Sequence, residues 1–286
     1  MIQEAFTLIT RLAARCDSLR PMRILCLASF IVASVASSYA QLPSQNDLGV
    51  SMGHIHFVVT DPDATKKAWT DVFGATAGSS GSLQLLKIPG MDIIVTKANT
   101  PPTGGSVGSS VDHLGIAVKD YADIKAKATA AGLKWQELTP NVQAFVSFPE
   151  DVRVEVMEIK EIATPVAFHH IHESVPDGKA GQAWYMKEFG AASGSRRNLP
   201  AAMMTGGEEV DFLTARMPPA GTKGRALDHI GFDVKDLAAT LKRLEADGVK
   251  IDMPLRDMTK QIGLKIAFVT DPNGTYIEIT EGLAGK

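Results

Sequence analysis

The segment Leu227-Asp228-His229-Ile230-Gly231-Phe232-Asp233-Val234-Lys235-Asp236 contains the pattern from which the fold is predicted. Its apolar residues predict a β-strand that carries His229, and the closing Asp236 is a residue type that starts helices. Closely similar strings occur at Val111–Asp120, Gly53–Asp61 and His169–Asp177. The recurrence predicts four strand–helix units, each of which opens with a histidine at one register.

The four units form two halves in register. His170, His172 and His229 each follow their counterparts, His54, His56 and His113, by 116 residues. Glu278 follows its counterpart Glu155 by 123 residues, which predicts an insertion near Asp257–Gly263. Within the first unit, Asp61 is expected to cap a helix over Pro62–Phe73, and Gly74 to end it. The Pro- and Gly-containing stretches at Thr100–Ser110 and Met217–Gly224 predict flexible linkers.

The N-terminus predicts export. Residues 22–40 combine a short positive start, an apolar run and Ser38-Tyr39-Ala40, so residues 1–40 are interpreted as a signal peptide cleaved before Gln41, with Met22 as an alternative start. The apolar run is too short to span a bilayer comfortably, so no membrane association is expected after cleavage. Both cysteines, Cys16 and Cys26, precede the cleavage point, which suits a periplasmic or secreted protein. An N-terminal amphipathic helix on a cytoplasmic protein is the alternative.

Composition excludes one class of partner. The 286-residue chain has a net charge of −3, which gives no polycationic surface for nucleic acid. The oligomeric state is left open.

Histidines and glutamates at matching strand positions predict metal sites. Two imidazoles and one carboxylate per half satisfy one another through a divalent ion and leave positions for water and substrate. The expected sets are His54, His113 and Glu155 in the first half, and His170, His229 and Glu278 in the second. A single inward histidine is ordinarily a hydrogen-bonded core residue, but six at equivalent positions favour an ion.

Small residues and two further histidines complete the predicted sites. His113 and His229 are each followed on their own strand face by a glycine, Gly115 or Gly231, which predicts a hole for a ligand or metal. His56 and His172 lie two residues beyond the strand-opening histidines, on the same face. They are candidate general bases, with a structural hydrogen bond as the alternative.

The pattern resembles the vicinal oxygen chelate (VOC) superfamily, which includes glyoxalase I, extradiol dioxygenases and bleomycin-binding proteins. Asp228-His229-Ile230-Gly231 and Asp271-Pro272-Asn273-Gly274-Thr275-Tyr276-Ile277-Glu278 carry the resemblance most strongly. Asp112-His113-Leu114-Gly115 and Pro149–Glu155 match it in the first half, although the turn there lacks the glycine. The resemblance implies an α+β fold of four βαβββ modules in two tandem glyoxalase-like domains, at residues 52–160 and 166–282.

The resemblance also bears on the reaction. A fourth ligand, as in glyoxalase I, is not expected, because the nearest equivalents are taken as Ile94 and Leu213, both apolar. Phe268 stands where ring-cleaving dioxygenases carry a tyrosine, and no histidine lies between His229 and Glu278. The expected function is an exported, metal-dependent lyase or isomerase acting on a small molecule with vicinal oxygens. The expected ion is Zn or Mn, and Fe or Ni is the second choice. An extradiol-type dioxygenase and a non-catalytic binding module are the alternatives.

Overall fold

The computed structural model describes residues 42–284. The predicted signal peptide at residues 1–40, including the alternative start at Met22, lies outside the described residues. Within residues 42–284, no helix is both long enough and apolar enough to cross a membrane.

Four consecutive modules share one order: a strand, a helix and three further strands. The first comprises β1 (Val50–Val59), α1 (Pro62–Phe73), β2 (Thr76–Ser80), β3 (Leu83–Ile88) and β4 (Met91–Lys97). The second comprises β5 (Val111–Val118), α2 (Tyr121–Ala130), β6 (Lys134–Thr139), β7 (Gln143–Phe148) and β8 (Val152–Glu158). The third comprises β9 (Val166–Val175), α3 (Gly178–Phe189), β10 (Ala192–Arg196), β11 (Leu199–Met203) and β12 (Glu209–Thr214). The fourth comprises β13 (Leu227–Val234), α4 (Leu237–Ala246), β14 (Ile251–Asp257), α5 (Thr259–Ile262), β15 (Lys265–Thr270) and β16 (Tyr276–Glu281).

The helix boundaries follow from their caps. Asp61 Oδ1 accepts the backbone N–H of Ala64 at 3.0 Å, and Gly74 ends α1 in the left-handed conformation at φ 69°, as predicted. Aspartates at the three equivalent positions cap α2, α3 and α4 in the same way. The extra helix α5 lies in the predicted insertion near Asp257–Gly263 and has no counterpart between β6 and β7.

The strands form two eight-stranded mixed sheets, and each sheet contains one module from each half of the sequence. The first sheet has the order β14-β15-β16-β13-β1-β4-β3-β2, which joins modules one and four. The second has the order β10-β11-β12-β9-β5-β8-β7-β6, which joins modules two and three. The α+β class with four βαβββ modules in two glyoxalase-like units is confirmed. The predicted pairing of modules within residues 52–160 and within residues 166–282 is wrong, because neither range contains a complete sheet.

The lengths of the connections explain this pairing. Modules two and three are joined by residues 159–165 alone, and short connections keep successive elements adjacent. Residues 98–110 and 215–226 are longer and carry the chain from one sheet to the other and back. The sequence predicted that these stretches are flexible linkers. Instead they hydrogen-bond to each other, for example from Ala226 N to Gly104 O at 2.9 Å.

The apolar core lies on the sheet faces opposite to the histidines. Phe57 of β1 and Trp69 of α1 are essentially unexposed, and their ring centroids are 5.9 Å apart. Trp69 also packs against Phe148 of the other sheet at 5.1 Å, and Phe189 of α3 stacks on Phe232 of β13 at 4.3 Å. Burial of each such side chain contributes about 2–3 kcal/mol. The helices thus fasten the two sheets together and leave the histidine-bearing faces free to form sites.

Candidate metal centres

The register of three strands brings one histidine and one glutamate together across a glycine. His54 of β1 lies opposite Gly231 of β13 in the antiparallel ladder, and Gly231 lies beside Glu278 of β16 in the parallel ladder. A Cβ atom on Gly231 would be 2.0 Å from Cε1 of His54. The hole predicted beside Gly231 is therefore filled by the imidazole of the neighbouring strand, and it does not form the ligand space that the sequence suggested. Gly115 and His170 repeat this contact in the other sheet.

The first cluster consists of His54, His56, His229 and Glu278. Nε2 of His54 lies 2.9 Å from Oε2 of Glu278, and Nε2 of His229 lies 3.1 Å from the same oxygen. One donor atom from each of the four residues falls within 4.8 Å of the others. His54, His229 and Glu278 are each at most 7% exposed. Three potential ligand atoms therefore converge at a single buried point.

Asp228 orients His229. Its Oδ1 lies 2.6 Å from Nδ1 of His229, so Nδ1 carries the proton and donates it to the carboxylate. When the ring is neutral, its lone pair is therefore on Nε2, the nitrogen that faces Glu278. Metal-binding histidines commonly have such a carboxylate on the other ring nitrogen.

Burial and hydrogen bonds in the first cluster shift the pKa values of Glu278 and His229. Burial by itself would raise the pKa of Glu278, but hydrogen bonds from His229 and His54 lower it well below its usual range. Burial by itself would lower the pKa of His229, but the hydrogen bonds to Asp228 and Glu278 raise it. Glu278 is therefore an anion, and the cluster attracts positive charge.

The second cluster consists of His113, His170, His172 and Glu155. Nε2 of His170 and Nε2 of His113 lie 3.1 Å and 3.5 Å from Oε2 of Glu155. Asp112 accepts from Nδ1 of His113 at 2.8 Å, as Asp228 does from His229. Although burial opposes it, hydrogen bonds from His113 and His170 lower the pKa of Glu155 below its usual range. The side-chain amide of Gln143 also donates to Oε1 of Glu155.

The six predicted ligands do come together in threes, but the expected sets are wrong. His54 meets His229 and Glu278, and His170 meets His113 and Glu155, because each sheet combines modules from both halves. Equivalent modules present equivalent histidines, so the repeat alone does not distinguish the two pairings. The short connection at residues 159–165 is the sequence signal that favours the observed one.

The second cluster also contains an arginine and an aspartate that the sequence pattern did not predict. Nη1 of Arg196 lies 3.0 Å from Oδ2 of Asp211 and 2.5 Å from Nδ1 of His170. Asp211 is opposite His172 in the β9–β12 register, just as Ile94 is opposite His56 in the β1–β4 register. The equivalent of Ile94 is thus the fully buried Asp211, and the expectation that it is Leu213 is wrong. The sequence signal that could have identified Asp211 is its charge within the otherwise apolar segment Val210–Leu213.

The two candidate bases have different surroundings. Nε2 of His56 bonds to Oγ1 of Thr96 at 2.9 Å, and its Nδ1 has no partner among the described residues. Burial, reinforced by the nearby His229, lowers the pKa of His56 well below its usual value. Neither ring nitrogen of His172 has a partner in the described part of the chain, and burial lowers the pKa of His172 to about 3. Both rings are neutral at pH 7.

The first cluster fits a divalent ion. Two ligand atoms bound to one ion at about 2.1 Å lie roughly 3.0 Å apart in octahedral and roughly 3.4 Å apart in tetrahedral coordination. The separations of 2.9 and 3.1 Å at Glu278 are close to the octahedral value. Two neutral imidazoles and a carboxylate are a donor set that suits Zn, Mn, Fe and Ni. The convergence of three acceptor atoms is costly without a cation or added protons.

Aromatic side chains border both clusters. Phe268 packs edge-on to His229 with ring centroids 5.1 Å apart, and Tyr276 stacks on Phe268 at 4.6 Å. In the second cluster Phe145 packs edge-on to His113 at 5.0 Å, and the guanidinium of Arg153 lies over Phe145. A cavity of about 290 Å³ opens there, lined by Phe145, Arg153 and Lys134 among others.

Comparisons with known proteins agree with this fold. Residues 167–279, which span modules three and four, match the model of the Glyoxalase/Bleomycin resistance protein/Dioxygenase superfamily. Glyoxalase I from Zea mays superposes with a TM-score of 0.64 at 16% identity over 81% of this chain and 92% of the maize chain. A Bacillus subtilis subsp. subtilis str. 168 protein provisionally assigned as a dioxygenase superposes with a TM-score of 0.62 at 16% identity over 85% of this chain and 88% of its own. No curated protein matches the chain.

Residues 167–279 therefore match this superfamily, and the resemblance to vicinal oxygen chelate proteins is confirmed. At 16% identity the two structures show a common fold, and fold alone does not specify a reaction.

Proposed function

We propose that the protein is an exported, divalent-metal-dependent enzyme of the glyoxalase-like type, a lyase or isomerase that acts on a small molecule with vicinal oxygens. The observation that carries the proposal is the convergence of Nε2 of His54 and Nε2 of His229 on one oxygen of Glu278. Zn or Mn is the expected ion, with Fe or Ni behind.

Each residue of the first cluster has a distinct task in this proposal. His54, His229 and Glu278 hold the ion, and Asp228 keeps the lone pair of His229 directed towards it. A bound ion would act as a Lewis acid towards two neighbouring substrate oxygens. His56 stands beside this point as a neutral ring, with its centroid 4.5 Å from that of His229. In this proposal its Nδ1, which has no partner among the described residues, accepts a proton from the substrate carbon next to the carbonyl.

The test is proton exchange at carbon. The signal-cleaved protein is loaded with Zn²⁺ or Mn²⁺ and incubated in D₂O with a panel of 2-hydroxyketones and 2-oxoaldehydes, and deuterium incorporation is followed by NMR. Metal-dependent exchange that is lost in His229→Ala and in His56→Ala supports the proposal. Retention of exchange in His229→Ala, or a protein that binds no metal, contradicts it.

An extradiol-type dioxygenase is the second candidate, and Tyr276 is the observation that favours it. The expected tyrosine position holds Phe268, but the ring of Tyr276 lies 5.9 Å from that of His229 and offers a phenol near the ion site. Oxygen uptake with catechols by Fe(II)-loaded protein, lost in Tyr276→Phe, would select this reaction over proton exchange.

A non-catalytic binding module is the third candidate, and the cavity beside Phe145 favours it. Such a module would keep its ligand after His229→Ala and after removal of metal. Ligand-induced thermal shifts measured on the metal-free protein would show it.

Export is supported by the sequence of residues 22–40 and by the absence of cysteine after Gln41. N-terminal sequencing of protein recovered from the periplasm or medium should begin at Gln41. Full-length protein that stays in the cytoplasm would contradict export without affecting the metal proposal.

A further inference from the structure

We infer that Arg196 takes the place of a metal ion in the second cluster, so that the chain binds a single divalent ion, in the first cluster. This inference rests on the proposed function, since it names which of the two sites is available to the ion. Arg196 is the last residue of β10 and extends towards the histidines from the edge of the second sheet.

The guanidinium of Arg196 is held on several sides. Nη1 lies 3.0 Å from Oδ2 of Asp211, and 2.5 Å and 3.1 Å from the two ring nitrogens of His170. Nη2 contacts Sδ of Met157 and lies 3.7 Å from Oε2 of Glu155. The side chain is 16% exposed. An arginine that bound substrate anions would direct free N–H groups into the cleft, whereas this one directs them at the groups that would otherwise face an ion.

Among the described residues, no arginine occupies the equivalent position in the first cluster. Arg196 ends its strand opposite Leu199, and the equivalent residue in the first sheet, opposite Leu83, is Ser80. The hydroxyl of Ser80 donates to Ile262 O at 2.6 Å, away from the histidines.

A second arginine, Arg153, is also present in the second cluster and has no counterpart in the described part of the first. Arg153 precedes Glu155 by two residues and pairs with Asp112 at 2.8 Å. The residue two positions before Glu278 is Tyr276, and within residues 42–284 no lysine or arginine forms an ion pair with Glu278 or Asp228.

The balance of charge therefore separates the clusters. In the second cluster the carboxylates of Asp112 and Asp211 are each paired with an arginine. In the first cluster, within residues 42–284, the ion-pair partners of Glu278 and Asp228 are histidines. A divalent ion next to a buried guanidinium is repelled, whereas two uncompensated carboxylates attract it. Arg196 thus has the role of a built-in counter-charge that keeps the second cluster metal-free.

The experiment measures the number of ions bound. Metal-free protein is dialysed against Zn²⁺ and analysed for bound zinc, and Co²⁺ titrations are followed by visible absorption as an independent count. The wild type is expected to bind one ion per chain, and His229→Ala none. Arg196→Ser, which copies the first cluster, and the neutral Arg196→Gln are each expected to bind two. The double variant R196S/H113A should return to one.

Two variants serve as controls. Arg196→Lys keeps the positive charge and should stay at one ion. Arg197→Ser removes the exposed neighbouring arginine, which donates to Gln143 and not to the histidines, and should also stay at one. Thermal unfolding of each metal-free variant verifies that it is folded.

The outcomes separate this inference from the proposed function. Two ions in the wild type, one of them lost in His113→Ala, would overturn the role of Arg196 without requiring any variant at that position. A single ion in both folded Arg196→Ser and Arg196→Gln would also overturn it. A wild type that binds no ion while Arg196→Ser binds one would contradict the proposed metal site of the first cluster and leave the role of Arg196 intact.

Discussion

Asp228 and His229 are neighbours in sequence, and Oδ1 of the first lies 2.6 Å from Nδ1 of the second. This contact fixes the nitrogen that faces Glu278, because a ring that donates from Nδ1 has its lone pair on Nε2. The same relationship joins Asp112 to His113 at 2.8 Å. The Asp-His pair at the start of each strand therefore orients its histidine so that Nε2 faces the glutamate of the cluster.

Asp228→Asn should weaken binding of Zn²⁺ about 10- to 100-fold, since loss of the carboxylate leaves His229 less basic and less firmly oriented. Competition with a chromophoric chelator at pH 7.5 measures the change. Asp112→Asn makes the same change in the second cluster and should leave the affinity within about twofold, since the ion is assigned to the first cluster. Equal losses in both variants would contradict that assignment.

Metal affinity should depend on pH through His229. The hydrogen bonds to Asp228 and Glu278 outweigh burial and raise the pKa of His229, so a proton competes with the ion for Nε2. Binding is therefore strongest above that pKa and falls by about tenfold per pH unit below it. Zn²⁺ competition titrations between pH 5.5 and 8.5 would show the slope. In Asp228→Asn the fall should begin at lower pH, and an affinity constant over the whole range would contradict the prediction.

Gly231→Ala should abolish metal binding. The added Cβ would be 2.0 Å from the ring of His54, so the ring must move away from Glu278. A loss of stability of about 1–3 kcal/mol is expected from the forced rearrangement, as measured by urea unfolding. Gly115→Ala places a Cβ equally close to His170 and is the matched control. It should cost similar stability but keep the bound ion, and a metal-binding Gly231→Ala protein would show that His54 is not a ligand.

Glu208 should make the fold less stable as pH rises. Burial raises the pKa of Glu208 from 4.5 to about 7, and its Oε2 has no partner among the described residues. The folded state thus favours the protonated form. Its contribution is fully present below about pH 4.5, is lost as pH rises through about 7, and amounts to at most about 3 kcal/mol.

Glu208→Gln should remove this loss, so that the free energy of unfolding falls less between pH 5 and pH 8 than in the wild type. Denaturant unfolding at several pH values measures it. Glu245→Gln on the exposed face of α4 is the control and should behave as the wild type does. Identical pH profiles for Glu208→Gln and wild type would show that Glu208 titrates normally in the fold.

Most of the architecture could be predicted because it depends on local patterns. The alternation around His229 and the aspartate after each first strand specify strand and helix within one module. Gly74 marks a helix end in sequence as it does in the structure. The pairing of modules is different, since four equivalent units satisfy the same local rules in either combination. Connection length decides it, and residues 159–165 are too short for the chain to change sheets easily.

The residue types of the two clusters could be predicted from the sequence, but the difference between the clusters could not. The histidines and glutamates could be predicted as ligands because they occur at equivalent positions of the repeat. The role of Arg196 could not be predicted, because its repeat counterpart is the small residue Ser80. Its contacts also reach Glu155 and Met157 in a different module. Strand periodicity locates a face, but it does not show what a long side chain from the sheet edge reaches.

The most direct test is the position of the ion itself. A zinc-loaded crystal examined by anomalous scattering should show one peak about 2.0–2.2 Å from Nε2 of His54, Nε2 of His229 and a carboxylate oxygen of Glu278. That result would show that ligands from opposite ends of the chain hold a single ion. A peak between His113, His170 and Glu155, or no peak at His54 and His229, would contradict it.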